Sequence, residues 1–522
     1  MASATLPLTS RVAGNSARLF AARIVSILAG MASLPVVYAR LGTRSYGIWA
    51  VLAGMVAIVR LADLGLGSAQ IREVARVADG GCRRQARAVL GLGVAWGACL
   101  SALALTCTAI CWPWLAHLCR LGSLGSPARS ALLLLLAGFF VDSLAMPWRA
   151  VLEGTQSYAA VARASAASTV AGAALAVGVV ELGGGLVALA ASTATTSVLA
   201  AAMFVRSVRR SAPELAPTFR EIRRADVSYA FAYGSRIQLA NVAGAVNSEM
   251  DRLVLTFFFG PPAVAGYDIG SRLVGQLRLP TGIILTALFP AASRAAREPD
   301  RLDRLYIAMT RYLAVFTTTG AAVLMVSAYP LVRLWLARPM PAAARAVEIL
   351  APGCAVAVCA SAAAVVTRAE GRPGRETRSG LLAAGLNLLL TYPLLRLIGP
   401  SGVLLSTTLA AVGATGYFFV HFHRSSHRPI GPLLCALWPP TLAAAIAGAI
   451  TEALAGRFPG GPGRTSAALA VAWQTGLIVL LAAVLLAAFR YFDGNDRSRL
   501  RAVITQLTPR RIVAPAMVWR NR

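Results

Sequence analysis

The chain has 522 residues, of which 57% are hydrophobic and only 14% charged, with a mean hydropathy of +0.66. Soluble domains carry about 25% charged residues, so this composition excludes an ordinary soluble enzyme. The formal net charge of +29 does not imply a nucleic-acid partner: all 50 basic residues are Arg, and they are scattered between apolar runs instead of gathered in a soluble basic domain.

A bilayer core is crossed by about 20 apolar residues of helix. Fourteen runs meet that length in chain order. Residues 1–20 come first; they lack the short apolar core and small-residue site of a cleaved signal and are expected to be retained. Six runs follow, at 17–38, 46–68, 88–112, 130–151, 158–180 and 185–205. A basic segment at 206–226, with Pro213 and Pro217, separates them from six more, at 227–257, 263–289, 306–328, 343–367, 379–398 and 401–421. Two further runs, 431–454 and 466–489, precede a tail that alternates Arg with Leu, Val and Ile. That tail reads as an interfacial segment on anionic lipid.

The gaps between runs alternate in charge. One side collects 34 of the 50 arginines and the other side 10. Basic residues mark the cytoplasmic side of spans, so both termini are expected in the cytoplasm and the number of spans is even. The chain also repeats. Leu41-Gly42 before Tyr46-Gly47 matches Phe259-Gly260 before Ala265-Gly266, Glu153-Gly154 matches Glu370-Gly371, and Gly183 and Gly185 match Gly399 and Gly402. The offsets are 218, 217 and 216–217. An offset of six spans keeps the orientation, so the expected fold is an all-α polytopic membrane protein of about 14 transmembrane helices. It has two six-helix bundles in parallel pseudo-twofold repeat, with a site between them, plus two C-terminal helices. The expected bounds are 1–205, a cytoplasmic linker at 206–226, 227–425, the two extra helices at 426–490 and a basic cytoplasmic tail at 491–522.

Six arginines fall inside spans: Arg23, Arg60, Arg236, Arg252, Arg272 and Arg278. Each costs roughly 2.5–3.5 kcal/mol by insertion scales if it faces lipid, so they should face a polar interior or a partner. Arg60 and Asp63, Asp268 and Arg272, and Glu249 and Arg252 are spaced to pair on one helix face. Arg23 sits near a span end, where it can snorkel. Arg236 and Arg278 have no local partner and are expected to face a cavity; Arg236 also falls on the repeat of Arg18, and Arg278 within a residue of the repeat of Arg60. A cationic cavity in a membrane suits an anionic, phosphate-bearing substrate, because guanidinium grips phosphate in a fork. Asp142 lies mid-span without a local base; it is either a coupling-ion ligand, with Asp63 as a second candidate, or an inter-helical partner for an arginine.

Other chemistry is sparse. Cys107 and Cys111 share a helix face but read as packing, and no disulfide framework is expected. His421, His423 and His427 cluster after the twelfth run without a carboxylate or cysteine and read as a membrane-surface loop, not a metal site. No phosphate loop, catalytic triad or metal motif is present, so neither cofactor nor enzymatic activity is expected. The gaps expected outside are short, the longest near 113–129, which disfavours a glycosyltransferase or glycan polymerase.

The stretch Leu41-Gly-Thr-Arg-Ser-Tyr-Gly-Ile-Trp49, followed by Leu61-Ala-Asp-Leu-Gly-Leu-Gly-Ser-Ala-Gln-Ile-Arg-Glu73, resembles the opening of the Wzx-type polysaccharide and O-antigen flippases of the multidrug/oligosaccharidyl-lipid/polysaccharide superfamily. Asp251-Arg252, Gly266-Tyr267, Leu288-Phe289-Pro290, Ile349-Leu-Ala-Pro-Gly353 and Ala369-Glu-Gly-Arg372 continue the likeness over roughly residues 15–425. The resemblance implies two bundles that open alternately to each side of the bacterial inner membrane, and a polyprenyl-diphosphate-linked oligosaccharide as cargo. It implies membrane lipids and glycan-assembly proteins as partners. By helix assignment it nominates Arg23, Arg60 and Arg272 as cavity arginines. A drug or cation exporter of the same superfamily is the alternative; it calls for an acidic or aromatic cavity.

Overall fold

The computed structural model describes residues 8–492 apart from 64, 79, 220–221, 280–291, 293–297, 373, 458–460 and 462. Sixteen α-helices and four short 3-10 turns make up the described chain, with no strand among the described residues. The first half contains α1 (Leu8–Arg60), α2 (Leu66–Ala78), α3 (Arg83–Leu118), α4 (Gly125–Gly154), α5 (Tyr158–Glu181) and α6 (Leu186–Ser211). The second contains α7 (Arg224–Phe259), α8 (Pro261–Gly275), α9 (Pro299–Val326), α10 (Ala328–Leu336), α11 (Pro341–Cys359), α12 (Ser361–Ala369), α13 (Gly374–Ile398) and α14 (Pro400–Ser425). Then come α15 (Gly431–Ala455) and α16 (Arg464–Ala488). Long Ala/Leu/Val-rich helices satisfy every backbone group internally, as hydrocarbon requires.

Eleven helical segments are long and apolar enough to cross a membrane, and the chain is a multi-pass membrane protein. Side chains such as Leu389, Leu397 and Leu469, each at least 70% exposed, suit contact with lipid. The first of the eleven, Ala21–Asp63, contains both the first and the second run of the sequence. The seventh run lies in α7. The eighth runs through α8 and the 3-10 turn Gln276–Arg278, and its residues 280–289 lie outside the described residues. The expected count of fourteen is therefore not reached by this criterion.

The join inside α1 shows why the repeat is visible. Gly42 has φ 76 and ψ 171, which breaks α1 into two rods. Gly260, 218 residues on, has φ 80 and ψ 177 between α7 and α8. Residues with a Cβ rarely adopt this region, so both turns call for glycine. Gly183 and Gly399, after α5 and α13, also have positive φ. The Glu-Gly landmark does not match in the same way. Gly371 has φ +72, whereas Gly154 ends α4 in helical geometry and is required by packing, since a Cβ there would lie 2.6 Å from the Val74 side chain.

Within the first half, α4 packs on α6 and α3, and α1 on α5; within the second, α13 packs on α14, and α11 on α8 and α14. The halves meet where α1 crosses α7 and α8, with Ile48, Val51 and Leu52 in one core with Val264, Ala265 and Ile269. Two points of that seam admit no side chain. A Cβ on Gly47 would lie 2.0 Å from the Pro261 carbonyl oxygen, and one on Gly65 would lie 2.4 Å from that of Gly234.

Three expectations need correction. The linker is shorter than expected, because α6 carries Arg206, Arg209 and Arg210 before the 3-10 turn Pro213–Leu215. The gap near 113–129 shrinks to the residues between Leu118 and Gly125. His421 and His423 lie in α14 and not in a loop; His423 is buried, with Nε2 3.0 Å from the Tyr306 hydroxyl and Nδ1 3.1 Å from the Pro429 carbonyl. Most of the basic tail, 493–522, lies outside the described residues.

Candidate functional site

Six helices of the first half surround a polar chamber with two adjoining lobes, an inner one of about 380 Å³ and an outer one of about 410 Å³, which share Asp142, Ser168, Thr169 and Ala200. Its walls are rich in hydroxyls because α5 and α6 place Ser and Thr on their inner faces. Thr169 donates to the Ser165 carbonyl (2.8 Å), Thr193 to Leu189 (3.1 Å) and Thr196 to Ser192 (2.8 Å). A hydroxyl that spends its proton on its own helix still presents acceptor lone pairs. The walls therefore suit sugar hydroxyls. An anionic group needs donors, and those come from arginine.

Arg60 ends the second rod of α1 and lines the inner lobe. Its Nη2 donates to Asp142 Oδ2 on α4 at 2.6 Å, and its guanidinium lies over the Phe139 ring, 5.4 Å from the centroid. The expected Arg60–Asp63 pair does not form. Asp63 closes the 3-10 turn Leu61–Asp63, and its Oδ2 accepts from the Gly67 N–H at the start of α2 (3.3 Å), while Arg60 turns to Asp142. Asp142 is thus the partner of an arginine, one of its two expected roles. Asp63 lines the same lobe.

Arg272 reaches the outer lobe from α8 of the second half. Its Nε donates to Asp268 Oδ2 at 2.8 Å, and 45% of the side chain stays exposed. Asp268 is fully buried and also accepts from the Tyr46 hydroxyl on α1 (2.6 Å) and from Arg252 Nη2 on α7 (2.8 Å). Arg252 in turn donates to Glu249 at 2.5 Å. The two pairs expected from helical spacing are both present. They fuse into one neutral network, and Tyr46 ties it to the opposite half.

Arg23 and Arg278 are not brought together with these two. Arg23 is exposed on α1 and forms no ion pair among the described residues. Arg278 is exposed on the 3-10 turn Gln276–Arg278. It stands 18 residues past Gly260, as Arg60 stands 18 past Gly42, but α8 ends at Gly275 and leaves Arg278 on a 3-10 turn, whereas α1 stays helical to Arg60. The Arg236 side chain lies outside the described residues. The chamber lies chiefly in the first half and meets the second at Arg272, so it is less central than a site between two equal bundles.

Sequence reasoning missed a second cluster. One position before Arg252, Asp251 turns about 100° away around α7 and is 1% exposed. It accepts from the Thr407 hydroxyl (2.6 Å), the Tyr267 hydroxyl (3.1 Å) and Asn387 Nδ2 (3.2 Å), and it forms no ion pair among the described residues. The hydroxyls of Ser406 and Thr391 lie 2.9 and 3.2 Å from Asn387 Oδ1. A buried carboxylate held by three neutral donors, with no cation beside it in an ion pair, is a costly arrangement unless it serves a cation or a proton. Among the described residues, no group of three or more His, Cys, Asp or Glu could hold a metal ion.

A search of curated protein sequences returns no match. The fold is shared with solved transporters. The lipid II flippase MurJ in an inward closed conformation aligns with a TM-score of 0.70 at 13% identity, over 91% of this chain and 99% of that one. An inward-facing multidrug-resistance transporter of the MATE family, in the MOP superfamily, aligns at 0.66 with 16% identity, over 77% of this chain and 94% of that one. A MATE transporter of Vibrio cholerae aligns at 0.58 with 15% identity, over 80% and 98%. A family model described as polysaccharide biosynthesis protein matches residues 37–339. That is more than half of the chain, and the chain belongs to the polysaccharide biosynthesis protein family.

Proposed function

We propose that this protein flips a polyprenyl-diphosphate-linked oligosaccharide across the bacterial cytoplasmic membrane for surface polysaccharide synthesis, by alternating access. The observation that carries this reading is the chamber: Arg60 and Arg272, one from each half, face a space lined by hydroxyl acceptors. The diphosphate takes the guanidinium donors, the sugars take the hydroxyl walls, and the lipid chain stays in hydrocarbon. The repeat supports bundles at 1–205 and 227–425 joined by the segment 206–226, and the arginine distribution supports cytoplasmic termini.

The pairing of the arginines decides which can serve. An ion pair open to water is worth about 0–1 kcal/mol, whereas breaking a buried pair costs about 3–5 kcal/mol. Arg60 and Asp142 are 53% and 30% exposed, so phosphate can displace Asp142 at little cost. Arg252 is 19% exposed and bound to buried Asp268, so it stays in place. Arg272 combines an anchored Nε with an exposed remainder, which presents the guanidinium without losing its support. Asp251 is a better coupling-ion ligand than Asp142, because no arginine pairs with it among the described residues.

Cation export suits this chamber less well, since Arg60, Arg149 and Arg272 face only Asp63 and Asp142. The test replaces Arg60 or Arg272 with Ala and follows lipid-linked glycan in cells. Both variants should insert normally and accumulate the glycan on the cytoplasmic leaflet. Undiminished export by both variants would remove the assignment.

A further inference from the structure

A second cavity, of about 560 Å³, lies among α1, α3, α4 and α7. It is nearly all apolar. The Thr256 hydroxyl in its wall donates to the Arg252 carbonyl of its own helix (2.6 Å). Cys107, Cys111 and Phe257 are exposed at its rim and mark a mouth toward the membrane face.

This cavity continues the chamber. On α3, Gly93, Gly97 and Leu100 line the inner lobe, and Ala104, Thr108 and Cys111 line the apolar cavity at the same helical spacing. On α4, Leu132 and Leu136 line the apolar cavity, and Phe139 and Asp142 the lobe. On α1, Val59 belongs to one and Arg60 to the other. Positions three or four apart share a helix face. The two spaces are therefore stacked about one turn, or roughly 5 Å, apart along common faces. The boundary falls where the Arg60 guanidinium meets the Phe139 ring.

We infer that this cavity holds the part of the cargo's hydrocarbon chain next to its phosphate. The inference rests on the flippase reading of the chamber and adds a subsite to it. An amphiphile whose anionic end is bound at Arg60 has its apolar continuation facing Val59, Leu136 and Val254. A larger apolar cavity of about 790 Å³, against α15, is not equivalent. It carries Glu348 and Glu452 and borders none of the chamber residues.

The native thiols provide the test. Full-length protein in nanodiscs is alkylated with N-ethylmaleimide, and each cysteine is followed by peptide mass spectrometry; exposed Cys82 and Cys435, away from the cavity, serve as references. Undecaprenyl monophosphate should slow Cys107 and Cys111 several-fold and leave the references unchanged. Inorganic diphosphate should slow neither. The variant Cys107→Trp should bind undecaprenyl monophosphate about tenfold more weakly, as expected if burial of about two methylenes is lost. If the lipid binds in an Arg60-dependent manner but Cys107 and Cys111 react as before, the subsite is wrong and the chamber reading stands. Equal protection by inorganic diphosphate reports a change of shape and also overturns the subsite. No Arg60-dependent binding of the lipid overturns both.

Discussion

At the scale of single residues, the carboxylate beside each arginine sets what a substitution does. Asp142 competes with an incoming phosphate for Arg60, and an exposed pair of this kind is worth about 0–1 kcal/mol. Asp142→Asn should therefore tighten binding of undecaprenyl monophosphate by up to about fivefold, measured by titration in nanodiscs. Asp268→Asn should do something different. It leaves Arg272 without its buried counter-charge and Arg252 with Glu249 alone; losing a buried partner costs about 3–5 kcal/mol, and the variant should show a markedly lower unfolding temperature. Asp251→Asn keeps an acceptor for Thr407 and Tyr267 and should fold. Its flipping rate should no longer respond to an imposed sodium or proton gradient; an unchanged response would exclude Asp251 as the coupling group. The Asp268–Arg272 and Glu249–Arg252 pairs were legible in the sequence because spacings of three and four fix a shared helix face. The Asp251 cluster was not, because Asn387 and Thr407 come from 136 and 156 positions away.

At the scale of helices, glycine marks the joints for two separable reasons. Gly42 has a left-handed backbone with no atom within 4 Å of a built Cβ, so Gly42→Ala should cost only conformational strain, about 1–2 kcal/mol. Gly47 has ordinary helical geometry, but its Cβ would strike the Pro261 backbone at 2.0 Å. Gly47→Ala must part α1 from α8 and should lower thermal stability more than Gly42→Ala does; the reverse order in unfolding of the detergent-solubilised protein would refute the seam described above. Turn glycines are readable in a sequence when they recur, as Gly42 and Gly260 do, since the backbone itself demands them. Packing glycines such as Gly47 and Gly154 also recur in the sequence, but the reason for them stays hidden until the neighbouring helix is known. The same limit explains why the expected Arg60–Asp63 pair fails: Asp142, which takes Arg60, comes from 82 positions away, while Asp63 accepts from the Gly67 N–H.

At the scale of the whole molecule, alternating access requires one end of the seam between the halves to part while the other holds. The structure is bonded at both ends. Near the Gly42 and Gly260 turns, Tyr46 donates to Asp268 across the halves at 2.6 Å. At the opposite end, Arg84 on α3 makes two hydrogen bonds to Asp226 on α7, at 3.0 and 3.1 Å, and the Gln238 side chain donates to the Leu61 carbonyl. With the cytoplasmic termini proposed above, the Arg84–Asp226 end faces the cytoplasm. A hydrogen bond to a charged group contributes about 1.5–3 kcal/mol net, so losing one shifts a two-state balance by about tenfold or more. Tyr46→Phe should therefore populate the state open to the outside, and Asp226→Asn the state open to the cytoplasm. Single cysteines placed at each mouth and labelled with an impermeant maleimide from either side should report opposite changes for the two variants. Changes of the same sign would mean that these bonds only stabilise the fold. Opposite changes with both flipping rates reduced would identify them as the two gates, since transport needs both states to be visited and biasing either one slows the cycle.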